Sequence, residues 1–250
     1  MEITSLENKL IKKIASLKQK KYRDIYKEFI VEGENSVNEA LKSNFTISNI
    51  LYCPELFDIN NIKTTETEPI SVPKEILSKI SDTITPQGII AVCKIPENIN
   101  ISNNFSKILF LDTLQDPGNV GTIIRTADAM NFDLVILSKK CADPYSLKVT
   151  RSTVGSIFHT PIIYDVETTT TLQELKNKSY TIYSSTPYNA VSIDEITPKT
   201  PFVLVIGNEG NGISEETKEN TDYFVKIDMP GFAESLNASI AAGILMYKFR

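Results

Sequence analysis

The pattern of apolar and polar positions changes character near residue 100. Before it, Leu6, Leu10, Ile14 and Leu17 fall at three- and four-residue spacings with lysines between them, which predicts an amphipathic helix over 4–20. Short apolar, partly β-branched runs at 29–31, 47–53 and 88–93 predict strands, and helices are predicted over 36–41 and 73–80. That alternation describes a small α/β domain. The segment 96–106 is rich in turn formers and predicts a boundary, with domains at 1–98 and 107–250.

After the boundary, continuous apolar runs at 108–111, 134–137, 161–164, 181–184, 202–206 and 223–227 alternate with helical patterns. Those helices are predicted at 119–130, 146–156, 172–176, 214–220 and 236–250. Strands that are apolar on both sides imply a mostly parallel sheet covered on both faces. In such sheets ligands collect at the carboxyl ends of the strands.

Composition narrows the class without naming it. With 41% hydrophobic and 23% charged residues the chain is globular rather than disordered. No apolar run approaches the ~20 residues that span a bilayer. The first residues carry acids and no apolar stretch, so neither a secretory nor a transit peptide is expected, and no membrane partner. The expected location is the cytoplasm. Cys53, Cys93 and Cys141 are widely spaced and His159 is the only histidine. No metal site or disulfide framework is expected; the thiols are read as reduced and mostly buried, and His159 as structural.

The net charge of −5 is unevenly spread. Residues 1–28 hold eight Lys/Arg against four acids, a net +4, and the rest holds 18 basic and 27 acidic residues, a net −9. A basic end on an acidic body suits either a local RNA-facing surface or a solvated helix face.

Three loops carry the candidate chemistry. The first, Asp112-Thr-Leu-Gln-Asp-Pro-Gly-Asn-Val-Gly-Thr-Ile-Ile-Arg125, leaves a buried strand and enters a helix, with Asn119 expected to cap it and Arg125 expected to reach the same helix end. The second, Val205-Ile-Gly-Asn-Glu-Gly-Asn-Gly-Ile-Ser214, places Gly207, Gly210 and Gly212 around Glu209. There the backbone can approach a ligand and the carboxylate can accept from an arginine, and Ser214 is the expected cap of the next helix. The third runs from Ile227 through Ser235, Leu236 and Asn237 to Gly243, where the start of the last helix offers free N–H groups. Taken singly, each is also readable as an ordinary strand-to-helix turn.

Together, Asn119 with Arg125, Gly207-Asn-Glu-Gly210, and Ser235-Leu-Asn237 in the last helix resemble, in order and spacing, the three motifs of the SpoU/TrmH branch of the SPOUT RNA methyltransferases. The resemblance covers about 107–250. Residues 1–95 are similar, on Lys20-Lys-Tyr-Arg, Phe29-Ile-Val-Glu-Gly33 and Pro86-Gln-Gly-Ile-Ile-Ala91, to the L30e-like substrate-binding domain that often precedes it. The acidic chain and divergent N-terminal domain depart mildly from the pattern and bear on the substrate.

The resemblance implies an α/β fold with a deep trefoil knot and a homodimer formed through the knot region. It implies S-adenosyl-L-methionine as cofactor, contacted at Thr186, Gly207, Ile227 and Leu236. It also implies methylation of a ribose 2′-hydroxyl, with 23S ribosomal RNA favoured over tRNA. Arg125, Asn119, Glu209, Ser235 and Asn237 are the implied catalytic set. The family's proposed base is the motif-one arginine. A guanidinium, which keeps its proton in proteins, is instead suited to orient the 2′-oxygen and neighbouring phosphate and to stabilise developing negative charge. RNA contacts are expected at Arg151, for which a structural ion pair is the alternative, and at Lys12, Lys13, Lys20 and Lys21. A non-catalytic RNA-binding or ribosome-assembly factor is the competing class; the intact motif residues argue against it. A small-molecule enzyme with a nucleotide cofactor needs a dinucleotide or phosphate loop that these glycines do not form.

Overall fold

The computed structural model describes residues 1–62, 67–97, 99–101 and 105–250. In chain order its elements are α1 (Lys9–Ser16), α2 (Lys20–Tyr26), β1 (Glu28–Glu32), α3 (Glu34–Lys42), β2 (Ile47–Tyr52), β3 (Ile70–Ser71), α4 (Lys74–Ile80) and β4 (Ile89–Lys94). They continue with β5 (Lys107–Leu111), α5 (Pro117–Ala129), β6 (Leu134–Ser138), α6 (Leu147–Thr153), β7 (Ile162–Val166), α7 (Thr168–Asn177) and β8 (Thr181–Ser185). The last are β9 (Val191–Ser192), β10 (Phe202–Ile206), α8 (Glu215–Asn220), β11 (Tyr223–Lys226) and α9 (Ala238–Phe249). Two compact units form: Met1–Glu97 with Asp143–His159, and Asn98–Ala142 with Thr160–Arg250. Residues 98 and 102–104 of the expected boundary lie outside the described residues.

The first unit has a four-stranded sheet in the order β1-β4-β2-β3, with β4 antiparallel to both neighbours and β3 parallel to β2. The two-residue β3 is too short to show a pattern in sequence. Ile11, Ile14 and Leu17 pack with Leu51, Leu77, Ile80 and Ile90 in one core. The helix expected over 4–20 is shorter, α1 alone: Asn8 accepts from the Leu10 N–H at 2.8 Å and starts it, Gln19 is extended, and a second helix, α2, begins at Lys20. The short helix α2 is anchored by buried Arg23, which meets Asp143 at 2.6 Å.

The excursion Asp143–His159 is built into this unit by aromatic packing. Tyr145 lies 4.8 Å from Phe29 and Phe158 lies 5.0 Å from Phe45, ring centre to ring centre. Thr150 donates to the Ile30 carbonyl at 3.3 Å. His159 contacts Glu39 at 3.1 Å.

The second unit has seven strands in the order β7-β6-β5-β10-β8-β11-β9, each pair parallel. This is the sheet that the continuous apolar runs require. Ile108, Phe110, Ile136, Ile182, Val203 and Val205 are fully buried beneath Leu172 and Leu175 of α7. The two-residue β9 carries no pattern in sequence either. Because every pair is parallel, β5, β10, β8 and β11 present their carboxyl ends along one edge of the sheet, where their loops emerge.

Candidate active site

The first loop begins on a buried carboxylate. Asp112 follows β5 and is wholly inaccessible. Its Oδ2 accepts from the Ser214 N–H and the Thr217 hydroxyl, each at 2.7 Å, while Oδ1 has no partner among the described residues. One side chain thereby fixes the end of β5 to the start of α8. Thr113, at φ 55°, turns the chain, and its N–H donates to Ser138 Oγ at 2.9 Å. Cys141 continues the anchor: its Sγ accepts from Leu114 N–H and donates to the Leu111 carbonyl, both at 3.2 Å. Burial pushes its thiol up to about 11, so it stays protonated in this hydrogen-bonding role.

The cap of α5 differs from expectation. Asp116 is the capping residue, accepting from the Asn119 N–H at 2.8 Å. Pro117 takes the first helical position, where its missing N–H costs nothing, and so pushes the cap back to Asp116. Gly118 leaves room for the capping carboxylate: a Cβ there would sit 2.9 Å from Asp116 Oδ1. The Asn119 side chain is therefore free for another task.

The second loop is a tight turn closed by Asn208. Its N–H and carbonyl pair with Gly212 at 2.8 and 3.0 Å. Its side-chain oxygen accepts from the N–H groups of Gly210 and Asn211, and its amide donates to the Thr113 carbonyl at 2.8 Å. The turn holds Glu209 at its exposed tip. Ser214 caps α8 as expected.

In the third loop, Asn237 caps α9, its oxygen accepting from the N–H groups of Ser239 (2.9 Å) and Ile240 (3.4 Å). That fixes the orientation of the amide. Its nitrogen donates to Asn119 Oδ1 at 3.1 Å, and Asn119 in turn donates to Glu209 Oε1 at 2.9 Å. Each amide orientation follows from the one before, and the series ends on an acceptor-only carboxylate. All three motifs are thus joined through side chains at the carboxyl edge of the sheet.

Arg125 is exposed on α5 and makes no hydrogen bond or ion pair among the described residues. It lies six residues beyond Asn119 on the same helix, about 120° around it. Ser235 is also exposed. Thr186, at the end of β8, donates its N–H to the Val225 carbonyl at 3.0 Å. The N–H groups of Gly207, Ile227 and Leu236 form no backbone hydrogen bond among the described residues. Open main-chain donors after β10 and β11, the two strands that flank β8, and just before α9 fit a polar cofactor gripped mainly by backbone.

In the first unit, Arg151 is exposed and forms no ion pair among the described residues, so the alternative structural pairing is absent there. Lys12 pairs with Glu7, and Lys13 with buried Glu28 at 2.6 Å. Lys20 and Lys21 are exposed. Among the described residues no group of three or more His, Cys, Asp or Glu is placed to hold a metal, and no helix is long and apolar enough to cross a membrane.

Asp112, Asp116 and Asn208 also organise the site, although the sequence reading assigns them no role of their own. Two of them carry a signal in sequence. Asp-Pro before a helix marks a cap followed by its first residue, and Gly-Asn-x-Gly favours an Asn that bonds its own turn. Asp112 has only its place after an apolar run.

Asn119 is the middle of the series, so its removal separates both neighbours. Asn119→Ala is expected to lower kcat/KM about tenfold, the loss of one to two net hydrogen bonds. Steady-state kinetics checks this, and an unchanged kcat/KM would show that the series has no part in turnover.

Residues 106–247 match the SpoU rRNA Methylase family, and residues 8–91, where an L30e-like domain was expected, match the MRM3-like substrate binding domain. The chain is 36% identical over 249 residues to the 23S rRNA (guanosine(2553)-2′-O)-methyltransferase RlmP of Bacillus subtilis, covering 100% of this chain and 99% of that one. The structure of the S-adenosylmethionine-bound rRNA methyltransferase from Sinorhizobium meliloti superposes with a TM-score of 0.85 at 29% identity, covering 99% and 96% of the two chains. The SpoU methyltransferase AviRb from Streptomyces viridochromogenes, in complex with the same cofactor, gives 0.87 at 26% identity, covering 97% of each. Fold and site thus define an RNA methyltransferase. The chain belongs to the SpoU rRNA methylase family.

Proposed function

We propose that this protein transfers the methyl group of S-adenosylmethionine to a ribose 2′-hydroxyl in 23S ribosomal RNA, in the cytoplasm. The observation that carries this is the Asn237–Asn119–Glu209 series, which joins all three motifs at the carboxyl edge of the parallel sheet. Likeness to RlmP along nearly the whole of both chains supports 23S rRNA over tRNA. Labelled-methyl transfer to 23S rRNA, large ribosomal subunits and tRNA, compared side by side, tests it; label in tRNA alone would reverse the substrate.

The bound cofactor supplies an electrophilic methyl on a good leaving group. The chain supplies alignment and charge. Gly207, Ile227 and Leu236 offer backbone donors to hold the cofactor, with Thr186 beside them. Arg125 orients the 2′-oxygen and the adjacent phosphate and stabilises the negative charge that grows as the hydroxyl proton passes to solvent water at this exposed site. Asn119, Glu209, Ser235 and Asn237 fix the ribose and the approach of Arg125.

The protein acts as a homodimer through the knotted region implied by the family. Supporting this, α9 exposes Ile240, Ile244 and Tyr247 at four- and three-residue spacings, an apolar row on the helix that carries Asn237. An exposed, unpaired Arg125 also suits a site completed by a second copy. Sedimentation at twice the chain mass is expected, and an Ile240→Lys, Ile244→Lys variant should run as a monomer. A wild-type monomer would defeat the dimer.

Arg151, Lys12, Lys13, Lys20 and Lys21 contact RNA phosphate. Lys12 and Lys13 already have acidic partners, so Lys21 is expected to carry more of the effect than either. Replacing the four lysines with alanine should weaken RNA binding and reduce the slope of log K against log salt by roughly one unit for each phosphate no longer neutralised. An unchanged slope rules this surface out.

A further inference from the structure

The helix α2 buries one side chain, and it is a charged one, Arg23. Its guanidinium donates to Asp143 Oδ2 at 3.0 and 2.6 Å and to the carbonyls of Leu17 and Lys18 at 2.7 and 2.8 Å. A seven-residue helix is marginal by itself; here a polar clasp, not an apolar face, holds it. Its apolar residues face outward instead: Ile25 is 59% exposed and Tyr26 42%. Tyr22 and Tyr26, one turn apart, stack with ring centres 6.3 Å apart and planes 14° from parallel.

Cations surround this pair. The Lys21 ammonium lies 5.8 Å over the Tyr22 ring, and that of Lys13 5.1 Å over Tyr26. With Arg23 neutralised by Asp143, residues 20–27 present Lys20, Lys21 and Lys27 against one acid, Asp24.

We propose that the outer face of α2, centred on Tyr22 and Tyr26, is a stacking platform for an unpaired base of the RNA substrate, with Lys20 and Lys21 taking the flanking phosphates. This rests on RNA as substrate and adds which part of it the first unit grips: a single-stranded stretch. An aromatic face accepts the π-face of any base, and nearby lysines track the backbone. The two lysines over the rings differ in freedom. Lys13 is held by Glu28 at 2.6 Å. The Lys21 ammonium lies over the Tyr22 ring and makes no hydrogen bond or ion pair among the described residues. An exposed cation–π contact is weaker than a stacked base, so a base displaces Lys21 from the ring and the freed ammonium moves to its phosphate. A protein partner fits less well, since lysine is depleted where protein surfaces meet.

The test uses the full chain carrying Tyr22→Leu and Tyr26→Leu, which keep apolar bulk and remove the rings. Fluorescent oligoadenylate, oligouridylate and a short RNA duplex are titrated at two salt concentrations. Single-strand affinity, for oligoadenylate and oligouridylate alike, is expected to fall roughly tenfold or more. Duplex affinity and the salt slope stay as in wild type, because the lysines remain. In methyl transfer, KM for RNA rises and kcat holds, and Tyr26→Trp behaves as wild type in both assays. Unchanged single-strand affinity overturns the platform and leaves the face to a protein partner; equal losses for single strand and duplex overturn it as well. Oligonucleotide binding needs no turnover, so the two readings fail separately. Ring-dependent binding without methylation of any RNA would keep the platform and defeat the methyltransferase assignment. Methylation of 23S rRNA at wild-type KM by the double variant would do the reverse.

Discussion

Replacing Arg125 with alanine is expected to cut methyl transfer by roughly 10²–10³-fold, the usual effect of removing one preorganised donor from a site of developing charge. Cofactor affinity should not change. Arg125 is exposed on α5 and bonds to nothing among the described residues, so its loss strands no partner and leaves no cavity. Stability should therefore move by less than about 0.5 kcal/mol. This separates a role in turnover from a role in folding. Arg125→Lys keeps the charge but not the planar two-pronged donor, and it should recover only part of the rate if orientation of oxygen and phosphate matters. Single-turnover kinetics with calorimetric titration of the cofactor checks both halves. Near-normal turnover by the alanine variant, with cofactor bound, would remove Arg125 from the mechanism.

Gly207→Ala should act at the other step. A Cβ there would lie 2.4 Å from the main-chain carbon of Gly212 and 2.5 Å from the nitrogen of Ile213. Both are backbone atoms of the same tight turn, so neither can swing aside as a side chain would. The turn must open, at a cost of about 1–3 kcal/mol. Asn208 then loses its pairing with Gly212, and Glu209 moves from Asn119. Cofactor dissociation constants should rise roughly 10- to 100-fold. The neighbouring Gly210 provides the control. A Cβ at Gly210 would meet only Asn208 Oδ1, at 3.7 Å, an ordinary contact, and its φ is not in the left-handed region. Gly210→Ala should bind cofactor nearly as wild type. Equal affinities for the two variants would show that the shape of this turn does not govern binding.

Long-period features are legible in the sequence, and short-range chemistry is not. Strands such as 202–206 and 108–111 read directly as buried and parallel because nothing polar interrupts them. The helix expected over 4–20 is too long because Leu6 and Leu17 keep the helical spacing although the chain is helical at neither; capping by Asn8, not apolar period, sets the start of α1. Strands β3 and β9, of two residues each, exist only through their partners. The segment Asp143–His159 lies within the catalytic half in sequence, yet Tyr145 and Phe158 pack on Phe29 and Phe45 of the first unit. Aromatic docking over such sequence distances has no local signal.

At the site, the motif residues are legible but not their division of labour. The position of Asn119 suits a helix cap, and the proline two positions earlier decides otherwise. The cap falls to Asp116, and the Asn119 amide is released to join Asn237 to Glu209. Nothing local marks Asp112, because its role lies in a hydrogen bond from the Ser214 N–H, 102 residues away.

The most direct test is transfer of labelled methyl from S-adenosylmethionine to total RNA, followed by nuclease digestion to nucleosides. The expected result is label in a 2′-O-methylated nucleoside, carried by the 23S fraction. Label on a base, or none in any RNA or ribosomal particle, would contradict a ribose methyltransferase built on Asn119, Arg125, Glu209 and Asn237.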